Sequence, residues 1–368
     1  MRRIVFKFSI LAVMLTGLPL AGALMADHPA ARYLEFPPQT AYVRHAPFSW
    51  TAFALYGGFI LAVIAGIAFL ARHSQPETFP KHRLRPFPWW GWAGVGLGAG
   101  TWILAWTRFT WFAALQPHTF FPLWLAFIIT VNGLGFRRSG HAMIIDRPRF
   151  FLALFPASAA FWWFFEYLNR FVQNWFYTGS NYSPGLYFLL ATLSFSTVLP
   201  AVLAVREWVF GATWLQTRFA GVRPLAPSRP KALAAAILAV ASVGLAGIGI
   251  WPDLLFPLLW VSPLLILVSL QAMAGEPHAL STVAIGDWRP VIAASTAALV
   301  CGFFWEMWNF FSLARWTYQV PLVHRFQIFE MPVLGYAGYL PFGLECMALA
   351  GLVETLIDPS RPAAHPES

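Results

Sequence analysis

Residues 161–177 read FWWFFEYLNRFVQNWFY, and residues 302–318 read GFFWEMWNFFSLARWTY. Each is a run of aromatic and aliphatic residues that carries Glu-x-x-Asn and closes on Trp-x-Tyr. Glu166, Asn169, Trp175 and Tyr177 answer Glu306, Asn309, Trp316 and Tyr318, with one residue of slip between Asn and Trp. The quoted stretches continue apolar runs at about 150–169 and 290–313. Eight more runs occupy about 8–25, 50–72, 92–112, 119–136, 186–205, 232–250, 255–273 and 332–353. Most are ~18–24 residues, the length that crosses ~30 Å of hydrocarbon. They must be helices, because an open strand in lipid leaves its backbone groups unpaired.

Composition agrees. The chain is 58% hydrophobic and 11% charged, whereas a soluble domain is typically ~25% charged. A water-soluble fold of this size has too little interior to hide so much apolar surface. The expected fold class is an all-α polytopic integral membrane protein with about nine or ten transmembrane helices. Aromatic residues reach 17%, including 19 Trp. That exceeds the need of two interfacial belts, so many rings should face the interior or a ligand.

The likeness of the two stretches extends both ways. LSFSTVLP ends at Pro200 and LGYAGYLP at Pro341, while Phe121-Pro122-Leu123 answers Phe256-Pro257-Leu258. Ordered anchors at near-equal spacing predict an internal duplication. The units, 90–205 and 231–353, hold four spans each, so they run parallel about an axis along the membrane normal. A basic cytoplasmic linker, 206–230, joins them. Residues 27–89 hold an outer loop, one helix and a basic cytoplasmic loop, and 354–368 form a Pro-rich disordered tail. Residues 1–26 begin Met1-Arg2-Arg3, run apolar and offer Ala21-Gly22-Ala23 as a cleavage site. That is the pattern of a signal peptide, and it is also long enough for a first helix; both readings stand.

The net charge is +9, but the basic residues sit in short loops between spans, which excludes a nucleic-acid role. Of 24 Lys and Arg, 18 fall on one side of the predicted membrane. That side is cytoplasmic. The expected location is a bacterial cytoplasmic membrane with the C-terminus inside. Cys301 and Cys346 lie in apolar runs and are expected as buried small hydrophobes. No span carries a histidine pair for haem or metal, and no phosphate loop or Ser-His-Asp pattern occurs, so no cofactor or metal is expected. His324, Arg325 and Glu330 form a charged cluster in an outer loop.

Three carboxyls sit inside spans: Glu166 and Glu306 near the outer ends, Glu345 nearer the middle of the last. A carboxyl in hydrocarbon must be paired, water-exposed or protonated. A buried protonated carboxyl can serve as a general acid. Asn309, at i+3, shares a helical face with Glu306 and can orient it, as Asn169 can Glu166. Arg170, at i+4, offers Glu166 a salt bridge. Alternatively the Glu-Asn pairs staple helices. Trp175, Tyr177, Trp316 and Tyr318 fit interfacial anchors, or the walls of a shared cavity open to the outer leaflet. Aromatic faces stabilise cations, and an acid among them suits carbocation chemistry on a polyene.

The stretch WEMWNFFSLARWTY at 305–318, followed by GYAGYLPFGLE at 335–345, resembles the lycopene-cyclase-type membrane domains of carotenoid biosynthesis. The resemblance implies Glu306 as the helix acid, Glu345 as the post-proline acid, proton-initiated chemistry and a long polyene substrate. The first copy has Ala204 where the second has Glu345. The expected function is therefore a membrane enzyme acting on an isoprenoid or other apolar lipid. Glu306 and Glu345 would be its acid or base, with Asn309 orienting and the aromatic residues lining the site. The alternative is a non-enzymatic lipid or small-molecule transporter, or an assembly partner of a membrane complex.

Overall fold

The computed structural model describes residues 2–72, 84–179 and 182–357. Most of the basic loop near 73–83, and the tail from 358 on, lie outside the described residues.

The chain is an all-α, multi-pass membrane protein. The long helices are α1 (Arg2–Met25), α2 (Trp50–Arg72), α3 (Trp89–Trp106), α4 (Phe120–Ser139), α5 (Pro148–Val172), α6 (Pro184–Phe195), α7 (Val198–Phe210), α8 (Pro230–Gly247), α9 (Leu258–Ala274), α10 (Arg289–Phe311) and α11 (Tyr339–Ile357). Among the described residues, seven helical segments are long and apolar enough to cross a membrane: 50–72, 116–139, 148–172, 184–210, 230–247, 289–311 and 333–357. Of the other three helices, α1 and α9 contain shorter apolar stretches. The third, α3, is 18 residues without a charged side chain.

Helices α5, α7, α10 and α11 pack together at the centre, with α3 on α4 and α8 on α9 outside them. Helix α2 stands apart and presents Leu55, Phe59 and Leu61 outward, the surface hydrocarbon accepts and water does not. The segment 184–210 breaks at Ser196–Thr197 because Pro200 has no N–H for the carbonyl four residues back. Ser158 on α5 repairs the gap. Its hydroxyl donates to the Phe195 carbonyl at 2.6 Å and accepts from the Leu199 N–H at 3.0 Å. Polar backbone at membrane depth is tolerated where protein satisfies it in this way.

Two terminal segments differ from their expected boundaries. Helix α7 runs to Phe210, so Arg206 and Glu207 are helical and not linker. Helix α11 runs to Ile357, so residues 354–357 are not tail. In both places an ion pair with Arg147 lets the helix continue past its apolar run. Arg147 binds Glu207 and also reaches Glu354 at 3.5 Å. The small residues near 22 have a packing role too. Gly22 and Ala23 are buried, and a Cβ on Gly22 would stand 1.8 Å from the Ala246 carbonyl oxygen on α8. Small residues allow such close helix approach in membranes.

Candidate functional site

Both Glu-x-x-Asn motifs lie at the C-terminal ends of central helices, Glu166 on α5 and Glu306 on α10. Each helix turns into a short strand, β1 (Trp175–Thr178) or β2 (Arg315–Tyr318). The strands pair antiparallel, Trp175 opposite Tyr318 and Tyr177 opposite Trp316. Each Trp-x-Tyr thus lies across the other, about a local two-fold centre at Phe176 and Thr317.

The asparagines build the turns that deliver these strands. Asn169 Nδ2 donates to the Trp175 carbonyl at 2.8 Å, and its Oδ1 accepts from the Asn174 N–H at 2.8 Å. Asn309 Nδ2 donates to the Trp316 carbonyl at 2.7 Å, and its Oδ1 accepts from the Trp316 N–H at 2.8 Å. The role expected of Asn309, a direct bond to Glu306, is corrected here. Its amide is consumed by backbone, so it positions Trp316 and Tyr318 instead. The one-residue slip is absorbed in the turn, where two residues separate α5 from β1 and three separate α10 from β2.

The strands carry donors to the carboxyls. Glu166 Oε1 accepts from Trp162 Nε1 (3.1 Å), Trp175 Nε1 (3.0 Å) and the Tyr177 hydroxyl (2.6 Å). Glu306 Oε1 accepts from the Tyr318 hydroxyl (2.7 Å) and the Tyr339 hydroxyl (2.8 Å), while Trp316 Nε1 donates to the Tyr318 oxygen (2.8 Å). Burial first, and then the Glu306 carboxyl, push the Tyr318 phenol well above its ordinary range, so it stays a donor. The strand indole donates to the carboxyl in the first cage and to the Tyr318 oxygen in the second, and the cages differ at one further place. Trp162 stands where the second copy has Gly302, and Val198 where it has Tyr339. A Cβ on Gly302 would lie 2.4 Å from the Tyr339 ring. The indole of one cage and the phenol of the other each supply a donor to their carboxyl.

Glu306 Oε2 is buried with no hydrogen-bond partner. The ring of Tyr339, whose hydroxyl binds this carboxyl, lies 5.9 Å from that of Trp305, and Trp124 lies 4.9 Å from Trp305. The two cages meet where Trp162 and Trp305 approach to 6.5 Å around Phe342. An unbroken row of indoles runs Trp106, Trp102, Trp308, Trp124, Trp305, Trp162, Trp175, Trp260, each within 6.5 Å of the next.

Glu345 is buried, and neither carboxyl oxygen has a hydrogen-bond partner. It sits beside the Leu264 backbone, apart from the donors around Glu306. The salt bridge expected between Arg170 and Glu166 is also corrected. Arg170 turns away to Glu35 at 3.0 Å and the Arg32 carbonyl at 3.1 Å, while three neutral donors serve Glu166 Oε1. Trp175 is 5% exposed, too buried for an interfacial anchor. In the outer loop, Arg315 pairs with Glu330 at 3.2 Å, His324 contacts Gln327 at 2.8 Å, and Arg325 lies over Phe48 and Trp50.

Sequence reasoning did not single out Trp162 and Tyr339. Aligning the copies residue by residue sets Trp162 against Gly302 and Val198 against Tyr339, two large-for-small exchanges in opposite directions. Also missed is Gln173, whose Oε1 accepts the Tyr42 and Val43 N–H groups at 2.8 Å and pins the outer loop to the α5 turn. Among the described residues no group of three or more His, Cys, Asp or Glu is placed to hold a metal ion. Comparison of the chain with protein-family models, with curated proteins and with solved structures returns no match.

Proposed function

We propose that the protein is a multi-pass membrane enzyme that acts on an isoprenoid, polyene or other apolar lipid, with Glu306 as its acid. The observation that carries this reading is the divided state of the Glu306 carboxyl. Oε1 is held by two phenols, whereas Oε2 is buried and unpartnered, in a cage whose Tyr339 ring lies beside Trp305. Fixing one oxygen aims the other, and the ring faces suit a cationic intermediate. In such a reaction Oε2–H protonates a double bond, the cation closes on a second double bond, and a carboxylate removes a proton from the neighbouring carbon. Trp316 and Tyr318 hold the acid, Asn309 holds their strand, and Glu345 serves as a second acid deeper in the membrane. Trp175, Tyr177, Glu166 and Asn169 form the companion cage. The motif-level resemblance to lycopene-cyclase-type domains points to the same chemistry.

The reading includes ten crossings, a retained first helix, and parallel duplicate units at 90–205 and 231–353. The matched asparagine turns and the strand pair support the duplication. The Lys- and Arg-rich face is placed in the cytoplasm of a bacterial cell, with the C-terminus on that side. A second reading, a lipid or small-molecule carrier or an assembly partner, is favoured by the two-copy arrangement of the cages across the strand pair, which suits a two-halved carrier.

The test is mass spectrometry of apolar lipids and pigments from cells carrying wild-type protein or Glu306→Gln, with membrane protein amount measured alongside. Loss of a general acid costs about 10²–10⁴ in rate, so product should vanish at unchanged protein level. Normal product from Glu306→Gln would overturn the acid role. An unchanged lipid profile with altered distribution across the membrane would favour the carrier.

A further inference from the structure

Glu345 on α11 is 4% exposed, and neither of its oxygens has a hydrogen-bond partner among the described residues. No charged side chain among them acts on it, and its titratable neighbour is the Cys346 thiol. A carboxylate without donors, ions or water is not sustained at membrane depth, so the group carries its proton. An ionisable side chain placed there marks function by default.

One turn further along α11, Ala348 lines a cavity of about 1010 Å³. At about 30 Å³ per water, that is room for about thirty waters. The cavity opens among the ends of α4, α5, α7, α9 and α11, at the opposite end of the bundle from the cages. Its lining residue His141 is largely exposed. The lining also carries Asp146, Glu207, Glu276 and Glu354 against Arg138, Arg147 and Arg206. An excess of carboxylate favours cations, hydronium among them, over anions. On α9, Gln271 Oε1 lines the cavity as a buried acceptor with no donor among the described residues, a place suited to water.

One apolar layer separates this cavity from the carboxyl. Leu264, whose backbone lies beside Glu345, packs with Val268 and Ala348 in a small cluster of its own. Leu264, Val268 and Gln271 follow one face of α9, as Glu345, Ala348 and Leu352 follow one face of α11. The layer is therefore one helical turn thick, about 5 Å. We propose that Glu345 exchanges its proton with water in this cavity, through the Leu264, Val268 and Ala348 layer. On release a water becomes hydronium and the carboxyl a carboxylate; on uptake the reverse occurs, and nothing else is consumed. This names the proton source for the acid role given to Glu345 above, and it rests on that reading only for the use made of the proton.

The test is infrared spectroscopy of the full-length protein in lipid vesicles. The C=O band of a neutral carboxylic acid, isolated as wild type minus Glu345→Gln, shifts when its proton is replaced by deuterium. Transfer into deuterated water therefore times the exchange. No substrate is added, so loss of exchange and loss of lipid product are separate results. Ala348→Leu thickens the layer and should slow exchange at least about tenfold, while Val268→Ala thins it and should speed exchange by about the same factor. Val172→Ala, the same truncation at a buried position near the cages, should leave the rate unchanged. Thermal unfolding followed by Trp fluorescence certifies each variant as folded, and Val268→Ala carries the test if Ala348→Leu does not fold. Absence of the band from the difference spectrum overturns the protonated state. A rate unchanged in folded Val268→Ala, or raised equally by Val172→Ala, overturns the route through the layer.

Discussion

Substituting Gly302 with alanine should unsettle the Glu306 cage through a single methyl group. The new Cβ would lie 2.4 Å from Tyr339 Cδ2 and Cε2 and 2.7 Å from Cζ, well inside contact distance. The Tyr339 ring cannot yield freely, since Trp305 lies beside it and its hydroxyl is held by Glu306 at 2.8 Å. Overpacking of this kind costs about 1–3 kcal/mol. Moving the ring loses a hydrogen bond to a buried carboxyl, about 1–3 kcal/mol more. Replacing a helical glycine by alanine returns about 1 kcal/mol. The net is a destabilisation of about 3 kcal/mol. Tyr339→Val, the residue the first copy has at this place, removes the ring and with it the clash. The double variant Gly302→Ala/Tyr339→Val should therefore be more stable than the sum of the singles, by about 1–3 kcal/mol. The assay is denaturant or thermal unfolding of the four proteins in one detergent, read by Trp fluorescence. A neutral Gly302→Ala, or strict additivity of the pair, refutes the reasoning.

Ser158→Ala should leave the Phe195 carbonyl and Leu199 N–H unpaired at the helix break, at about 2–4 kcal/mol; an unchanged midpoint would remove Ser158 from that role. Asn309→Ala should lower the melting temperature and increase hydrogen exchange across 315–318, and no change there would show that β2 is held otherwise. Glu35 is held below the ordinary carboxylate range first by the Thr40 hydroxyl, with Arg170 a smaller contributor. A depressed folded value means a contribution present above the unfolded value and lost as pH falls through the folded one. The stability supplied by Glu35 should therefore start to decline at the ordinary glutamate value, be gone below the depressed one, and be smaller in Thr40→Ala, read as the difference in melting temperature between neutral and acid pH; an equal difference in both proteins would remove Thr40 from that role. Because Gly22 and Ala23 pack on α8, intact-mass measurement of membrane-extracted protein should retain residues 1–26, and a mass lacking them would remove α1 from the mature fold.

The membrane class was legible because run length and hydropathy are properties of one dimension. The run read at 50–72 is α2, and that at 290–313 is α10 shifted by one or two residues. Contacts between runs were not legible. Arg206, Glu207 and Glu354 were set aside as linker and tail because a charge in sequence counts against a span. In three dimensions Arg147 binds Glu207 and reaches Glu354, and the charges sit on helices. Asn309 stands three residues after Glu306 on the same helix. Spacing alone does not say whether an amide meets a side chain or the returning backbone, and the turn after α10 decided for the backbone. The direction of Arg170 was settled by Glu35, 135 residues away, a pairing no local pattern carries.

The row of eight indoles from Trp106 to Trp260 has an optical consequence. Neighbours with centroids 4.9–6.5 Å apart share excitation faster than they emit, so light absorbed anywhere along the row emerges from whichever member lies lowest in energy. Their coupled transitions should give an exciton circular dichroism signal that weakens, as the row divides in two, when an inner link such as Trp124 or Trp305 is replaced by Phe. The protein thus carries its own unlabelled gauge of the contact between α4, α5 and α10, readable in a native membrane without adding a dye.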